Sequence, residues 1–576
     1  MKKLNKMINS DLKKTISFLW ENLKNNIFIF AILLVVIICL AILETTIIGS
    51  LSPIVQVLEN KNNLNIFYNQ IFQNSNIISF EKFESYFFIL LGCIFIFAAA
   101  MNVLSFYVTN KLTVSLNFKW KNQIINSYFH KDINFFNKNF TGDLIQKINI
   151  HTQNSSSVIY YFALILKEAV IIGAIYILLV SISLPFTLGL TIFFIIIFFA
   201  TGLLGKHYIL KKTIERNAAQ KKVYSYTNII INGIKIIKLF NKQEYFRNIF
   251  YNFSNIQKKI DINTQTLVNF PAVLVRTLTF ISLVFLVFLS VNGLISITDT
   301  SSLIIYIGSA YKINNCMGSI NNGILNTLSI FPSVHIVRAE IKEPSIKKNK
   351  KTQYKIFKNS LHFKNINYSY PESSLKLFDS LNFKINKNKF YIIHGPSGSG
   401  KSTFADLIVG FLKPSGKVSI DNGNFLNLSE FNHSLMAYAN QSATLFPGSI
   451  AANITLFDKN IDRTRLRKIN QICKINKLLF NNINGKNLFE SGKNLSGGQQ
   501  QRICLARTLY CNRDIILLDE CISNVEKKLE RQIMSNIKNY AKVKLKTVII
   551  ITHSNHYLDL ADEVYELNQG KMKIKK

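Results

Sequence analysis

The chain has 576 residues, more than one ordinary domain holds, and sets 68 Lys and Arg against 32 Asp and Glu for a formal charge of +36. A hydrophobic share of 48% with several long uncharged runs excludes a small soluble domain. The basic balance permits a nucleic-acid partner, but Lys is spread through the whole chain and much of it flanks apolar spans, so no nucleic acid is expected.

The N-terminus places Lys2, Lys3, Lys6, Lys13 and Lys14 before an apolar run without an obvious cleavage site, which reads as a retained first span. That span runs from Ile27 to Leu43 and resumes after Glu44 to about Leu58. Further spans are expected at Tyr86 to Val108, Val158 to Ser181, Leu184 to Leu204, Leu267 to Leu294 and, more weakly, Ser301 to Val334. Each is near the ~20 residues that cross a bilayer, so six helices are expected in residues 1–339. The long connections at 109–157 and 205–264 are rich in Lys and Arg, and the other connections are not. The basic loops should face the cytoplasm, with both termini, in a cell inner or plasma membrane, and the helices should extend beyond the bilayer. Glu44, Lys167, Glu168 and Arg276 fall in or beside spans, where charges are rare and face a cavity or one another. For Glu44 and Arg276, a polar translocation path and a plain structural charge stand as equal readings. Lys167 and Glu168 are expected to snorkel from a span end. The seven cysteines are scattered, with no metal-like spacing, and should be reduced.

Residues 340–358 are polar and Lys-rich, a linker, and 359–576 switch to strand–turn–helix patterns. Leu361 to Tyr370 alternates and looks like an edge strand, and Phe378 to Ile385 looks like another strand. Gly395 to Thr403 reads G-x-x-x-x-G-K-S between a short apolar strand, Phe390–His394, and a helical run after Phe404. This is a phosphate-binding loop. Gly395, Gly398 and Gly400 let backbone N–H groups of the loop, including those of Ser397 and Ser399, point inward. Lys401 would reach the β- and γ-phosphates, and Ser402, followed by Thr403, would bind Mg²⁺. Downstream, Asp514 to Asp519 is a buried apolar strand. Asp519 at its end can hold Mg²⁺, and Glu520 can polarise a water. The cofactors expected are ATP and Mg²⁺.

Between the two lies Leu495 to Arg502, L-S-G-G-Q-Q-Q-R. With it the chain resembles the ATP-binding cassette (ABC) transporters, Leu495 to Gln499 matching their signature motif. The resemblance implies that Tyr370 stacks on adenine. It implies that Gln441 senses Mg²⁺ and faces the membrane domain, and that His553 contacts the γ-phosphate. It also implies that Ser496, Gly497, Gly498 and Gln499 close the site from a second subunit. Glu490 to Gly492 follows the exporter pattern too. Phe135–Phe136 with Gly142 to Leu144, and Asn232 to Phe240, resemble the cytoplasmic loops of exporter-type half-transporters. The fold implied is an α-helical six-span membrane domain joined to an α/β P-loop ATPase domain with an antiparallel β subdomain and a helical subdomain. The partner implied is a second half-transporter, most simply another copy of the chain. In place of the family's usual aspartate after Ser523, this chain has Glu526, one methylene longer, and hydrolysis is expected to survive the change.

The first span, from Ala41 to Pro53, faintly resembles lipid-linked oligosaccharide flippases, and the basic charge suits an anionic head group. A peptide or drug exporter is the rival reading. A non-transport ABC ATPase acting on nucleic acid is the reading from another class, and the apolar spans argue against it.

Overall fold

The computed structural model describes residues 16–59, 80–291, 300–342, 357–370, 376–412, 414–421, 435–475 and 495–575. It divides into two compact units, Met1–Lys131 with Phe136–Ser345, and Asp132–Phe135 with Ile346–Lys576. Most of the expected linker and Glu490 to Gly492 lie outside the described residues.

The first unit is helical. Its long elements are α1 (Ile27–Gly49) continued by α2 (Leu51–Glu59), and α3 (Phe80–Tyr128). After the short α4 (Ile133–Lys138) and α5 (Thr141–Gln146) come α6 (Thr152–Ile182), α7 (Leu184–Asn232), the short α8 (Ile234–Leu239), α9 (Gln243–Val291) and α10 (Thr300–Lys342). Among the described residues, Ile27–Val55, Ser85–Tyr128 and Thr141–Ile182 are long and apolar enough to cross a membrane. The other three expected spans fall on α7, α9 and α10. Helices α3, α7 and α9 run far past the apolar stretches, as the long basic loops imply. A turn of π-helix at Lys147–His151 joins α5 to α6 without a break.

Side chains of α1, α6, α7 and α10 form one core, including Ala41, Ile48, Ile171, Ile175, Leu179, Phe194, Tyr306, Ala310, Ile313 and Cys316. The intramembrane charges are placed differently from expectation. Lys167 and Glu168 do not sit at a span end. They lie in the middle of α6, mostly buried and paired at 3.4 Å. An ammonium too deep to reach the interface must find a carboxylate instead. Glu44 pairs with Lys312 at 2.5 Å. Arg276 is exposed on α9.

The second unit has two sheets. Strands β1 (Ser360–Tyr368), β2 (Phe378–Asn386) and β4 (Ser415–Ile420) form an antiparallel sheet in the order β2-β1-β4. The expectation of an edge strand at Leu361 to Tyr370 is therefore corrected. β1 is central, because both of its rims are paired, Leu361 with Ile385 on one side and Ile420 on the other. The alternation that suggested an edge is kept, and the pairing with β2 shifts register between Phe363 and Tyr368. Asp421 ties this sheet's corner. Its carboxylate accepts the backbone N–H groups of Lys358 (2.6 Å), Asn359 (2.5 Å) and Ser360 (2.9 Å).

The larger sheet contains β3 (Phe390–His394), β5 (Met436–Ala439), β6 (Ile515–Asp519), β7 (Thr547–Thr552), β8 (Glu563–Asn568) and β9 (Lys571–Ile574). Its order is β5-β6-β7-β3-β8-β9, parallel except for the last strand. β6 and β7 are buried at every position, as a parallel sheet covered on both faces requires. One face packs on α11 (Lys401–Val409) and the antiparallel sheet. The other packs on α12 (Ile450–Thr455), α13 (Arg463–Ile472), α14 (Gly497–Tyr510) and α15 (Lys527–Lys544).

Candidate functional site

The parallel sheet delivers several loops to one edge. β3, β7 and β6 are neighbours, with His394 opposite Thr552 and Asp519 opposite Ile551. β5 lies beyond β6, with Ala439 opposite Leu518. The carboxyl ends of these strands thus release Gly395, His553, Glu520 and Gln441 at the same edge, where ligands of open α/β sheets bind.

The loop Gly395–Gly400 turns tightly into α11. Gly398 and Gly400 adopt φ of +80° and +94°, a region that strains any residue with a Cβ. Lys401 is buried, and its ammonium donates to the carbonyl oxygens of Gly395 (3.0 Å) and Pro396 (2.9 Å). Its charge is thereby held inside the loop. The Ser399 hydroxyl is buried without a hydrogen-bond partner, and Ser397 is exposed at the tip. The first N–H groups of α11 have no helical acceptor, and the helix adds partial positive charge. The loop therefore fits a polyphosphate: a held cation, an unspent hydroxyl and converging N–H donors. The Tyr370 hydroxyl pairs with Thr403 Oγ1 at 2.8 Å, which sets its half-exposed ring beside the start of α11.

Asp519 and Glu520 have opposite surroundings. Asp519 is 2% exposed, and one of its carboxylate oxygens has no hydrogen-bond partner. The other faces the Tyr438 hydroxyl at 3.5 Å. Burial pushes its carboxyl up to about 6, tempered by the Ser402 hydroxyl and reinforced by the charges of Glu520 and Asp406. A buried, under-satisfied carboxylate beside a hydroxyl is a fitting seat for a divalent cation. Glu520 adopts φ of +45°, and its N–H donates to the Ile551 carbonyl at 3.0 Å. That turn swings its side chain between two loops. Oε2 accepts from Gln441 Nε2 at 2.9 Å, and Oε1 lies 3.0 Å from His553 Nδ1. The structure thus brings Gln441, Glu520 and His553 into direct contact, beside Asp519.

The signature residues form a helix start. Ser496 caps α14: its hydroxyl accepts from Gln499 N at 3.4 Å, and its N–H donates to Gln499 Oε1 at 2.9 Å. Gly498 lies so close to the Asn524 carbonyl that a Cβ would come within 2.8 Å of its oxygen. The contacts of this turn run to Asn524 and Val525, and those of the phosphate-loop glycines Gly395 and Gly400 to Leu377, Phe378 and Leu567.

Several supporting residues escape the sequence reading. Tyr438 stands between Asp519 and Asp406. Gln501 donates to Ser523 Oγ (3.3 Å) and accepts from Asn524 N (2.9 Å), fixing the segment that carries Glu526 to α14. Arg507 holds the loop after Gln441 through the carbonyls of Asn453 (2.8 Å) and Thr444 (2.9 Å). The polar Asp406 in an otherwise apolar helix face was the one available signal; the others look like ordinary surface residues until the chain folds.

The family pattern described as "ABC transporter" matches residues 378–523, and that described as "ABC transporter transmembrane region" matches residues 27–311. The chain belongs to the ABC transporters. Its second unit is their ATP-binding domain, and the two matches in one chain make it an exporter-type half-transporter. It is 37% identical over 217 residues to an export ATP-binding/permease protein of Rickettsia bellii (strain RML369-C), a match spanning 37% of each chain. It is 26% identical over 513 residues to the lacticin-481/lactococcin-DR transport/processing ATP-binding protein of Lactococcus lactis, covering 85% of this transporter and 70% of that protein. It is 25% identical over 519 residues to the ATP-dependent lipid A-core flippase of Idiomarina loihiensis, covering 87% and 86%. A solved bacterial Atm1-family ABC exporter with ATP bound shares the fold, with a TM-score of 0.75 at 17% identity over 93% of both chains.

Proposed function

We propose that this transporter is an ATP-driven exporter or flippase that moves its substrate out of the cytoplasmic side of an inner or plasma membrane. The observation that carries the reading is the contact of Glu520 with both Gln441 and His553, beside the phosphate loop, in a chain that also has a membrane region. Lys401, the N–H groups of residues 397–403, and Tyr370 bind and orient the nucleotide. Ser402 and Asp519, with Gln441, hold Mg²⁺. Bound MgATP supplies the free energy of phosphoanhydride hydrolysis. Glu520 takes a proton from the attacking water, and His553 and Gln441 fix its carboxylate for that task. Gln441, in contact with Glu520, is positioned to feel its state.

Each chain has one phosphate loop and one signature turn, so two chains complete a site. Ser496 to Gln499 of a second copy supply helix-start N–H donors. A homodimer suffices, because Glu520, His553 and Ser496 are all present. Alternating access follows as paired ATP-binding domains close and reopen. The basic character of the long loops supports an orientation with both termini in the cytoplasm. Domain boundaries near 340 and 358 accord with this layout. For cargo, a lipid or lipid-linked saccharide is the first reading, and the flippase relative favours it. The lactococcal relative favours a peptide as the second.

The test is Glu520→Gln in the purified transporter. Nucleotide binding should persist while steady-state hydrolysis falls by about 10²-fold or more. Continued hydrolysis would remove Glu520 from the role of base. Transport assays in proteoliposomes with candidate lipids, lipid-linked sugars and peptides separate the cargoes.

A further inference from the structure

The first unit holds a charged network where hydrocarbon is expected. Glu44 of α1 pairs with Lys312 of α10 at 2.5 Å, and Lys167 pairs with Glu168 on α6 at 3.4 Å. The buried Cys316 thiol, one turn after Lys312, hydrogen-bonds Glu168 and feels the charges of Lys312 and Glu44. Lys167 also lies over the Phe106 ring of α3, 5.0 Å from its centroid. The four charges therefore form one group across α1, α6 and α10. Glu44, Lys167, Glu168 and Lys312 all fall on helices read as membrane spans.

The charges of the two pairs sum to zero, which gives no preference for an anion, despite the chain's overall +36. What separates the group from a plain structural ion pair is that it continues into unspent polarity. Ser309, three residues before Lys312 and on the same face, is fully buried, and its hydroxyl has no hydrogen-bond partner. Other hydroxyls of these helices, such as those of Thr45, Ser155 and Ser181, donate back to their own helix. An unspent buried hydroxyl beside charges on membrane-spanning helices marks a place that a polar ligand enters.

We infer that Glu44, Lys312, Glu168 and Lys167 form a binding site for a zwitterionic head group, one that presents an ammonium to the carboxylates and a phosphate to the lysines. This rests on the exporter reading and names the cargo chemistry of its pathway. The ligand exchanges with the Glu44–Lys312 pair, so that each freed charge gains a new partner and none is left bare in hydrocarbon.

The full-length transporter is reconstituted into vesicles with increasing phosphatidylethanolamine or phosphatidylglycerol, and separately given free phosphoethanolamine. Phosphatidylethanolamine should stimulate ATP hydrolysis and phosphatidylglycerol should not. Glu44→Gln and Lys312→Gln should each raise the half-stimulating content about tenfold, the loss of one charged contact. Stimulation by free phosphoethanolamine alone supports the same site and makes the source a soluble zwitterion. The swapped pair, Glu44→Lys with Lys312→Glu, should recover thermal stability without recovering stimulation. A swap that recovers both overturns the proposal, since the pair would then be structural. Equal stimulation by the two lipids in the unaltered protein overturns it without any variant. Stimulation only by peptides or lipid-linked sugars overturns it and leaves the exporter reading standing. Absence of all ATP hydrolysis refutes the exporter reading itself.

Discussion

Gly498→Ala tests how tightly the signature turn is seated. The new methyl would stand 2.8 Å from the Asn524 carbonyl oxygen and 3.5 Å from Val525 Cγ2. That is roughly half an ångström or more inside ordinary contact with the oxygen. The obstacle is backbone and cannot rotate away, because Asn524 N is held by Gln501 at 2.9 Å and Gln501 also holds Ser523. Overpacking of this kind costs about 1–3 kcal/mol, and the better helix propensity of alanine returns up to ~1 kcal/mol. A net loss of about 1–2 kcal/mol lowers the melting temperature of a domain this size by roughly 2–8 °C. Gly497→Ala is the matched control. Its methyl would meet the Asn524 side chain at ordinary contact distance, with Nδ2 nearest at 3.4 Å. That variant should keep or slightly exceed the original stability. The assay is thermal unfolding in detergent with a thiol-reactive dye, which reports exposure of the buried Cys473, Cys504 and Cys521. ATP hydrolysis should fall in Gly498→Ala as the segment carrying Glu526 is displaced. Equal melting temperatures for the two variants, or a lower one for Gly497→Ala, would refute the reasoning.

Burial opposes the charge of Asp421, but the three backbone N–H donors outweigh it and hold its carboxyl below the ordinary value. Its contribution is complete above the unfolded value near 4 and is lost as pH falls through the lower folded value. Asp421→Asn should therefore cost on the order of 1–2 kcal/mol at pH 7. The gap to the original protein should narrow below about pH 4 in denaturant titrations, and a pH-independent gap would contradict this account. Glu526 is the N-cap residue of α15 yet makes no side-chain cap. Glu526→Asp shortens the side chain to the length that reaches the first-turn N–H groups, and should stabilise the fold by about 0.5–1 kcal/mol while hydrolysis persists. A purified dimer inactive until this substitution is made would show that the native Glu526 is not tolerated catalytically.

What the sequence determined by itself was local chemistry. The phosphate loop, the apolar strand ending at Asp519 and the signature turn are contiguous motifs, and their glycines, hydroxyls and charges are legible because each acts through its own backbone. The long apolar runs were legible for the same reason: hydrocarbon must be met by every residue along a span. What only the tertiary structure decided was pairing between distant segments. β1 is central because β2 and β4 close on both of its rims, which no alternation within β1 announces. Glu520 touches Gln441 and His553 because β5, β6 and β7 are neighbours in the sheet, although the three residues are far apart in the chain. Lys167 pairs with its neighbour Glu168 on α6, and Lys312 finds Glu44 across two helices. Long-range packing chooses such partners, and the physical cost of an unpaired buried charge then makes the choice binding.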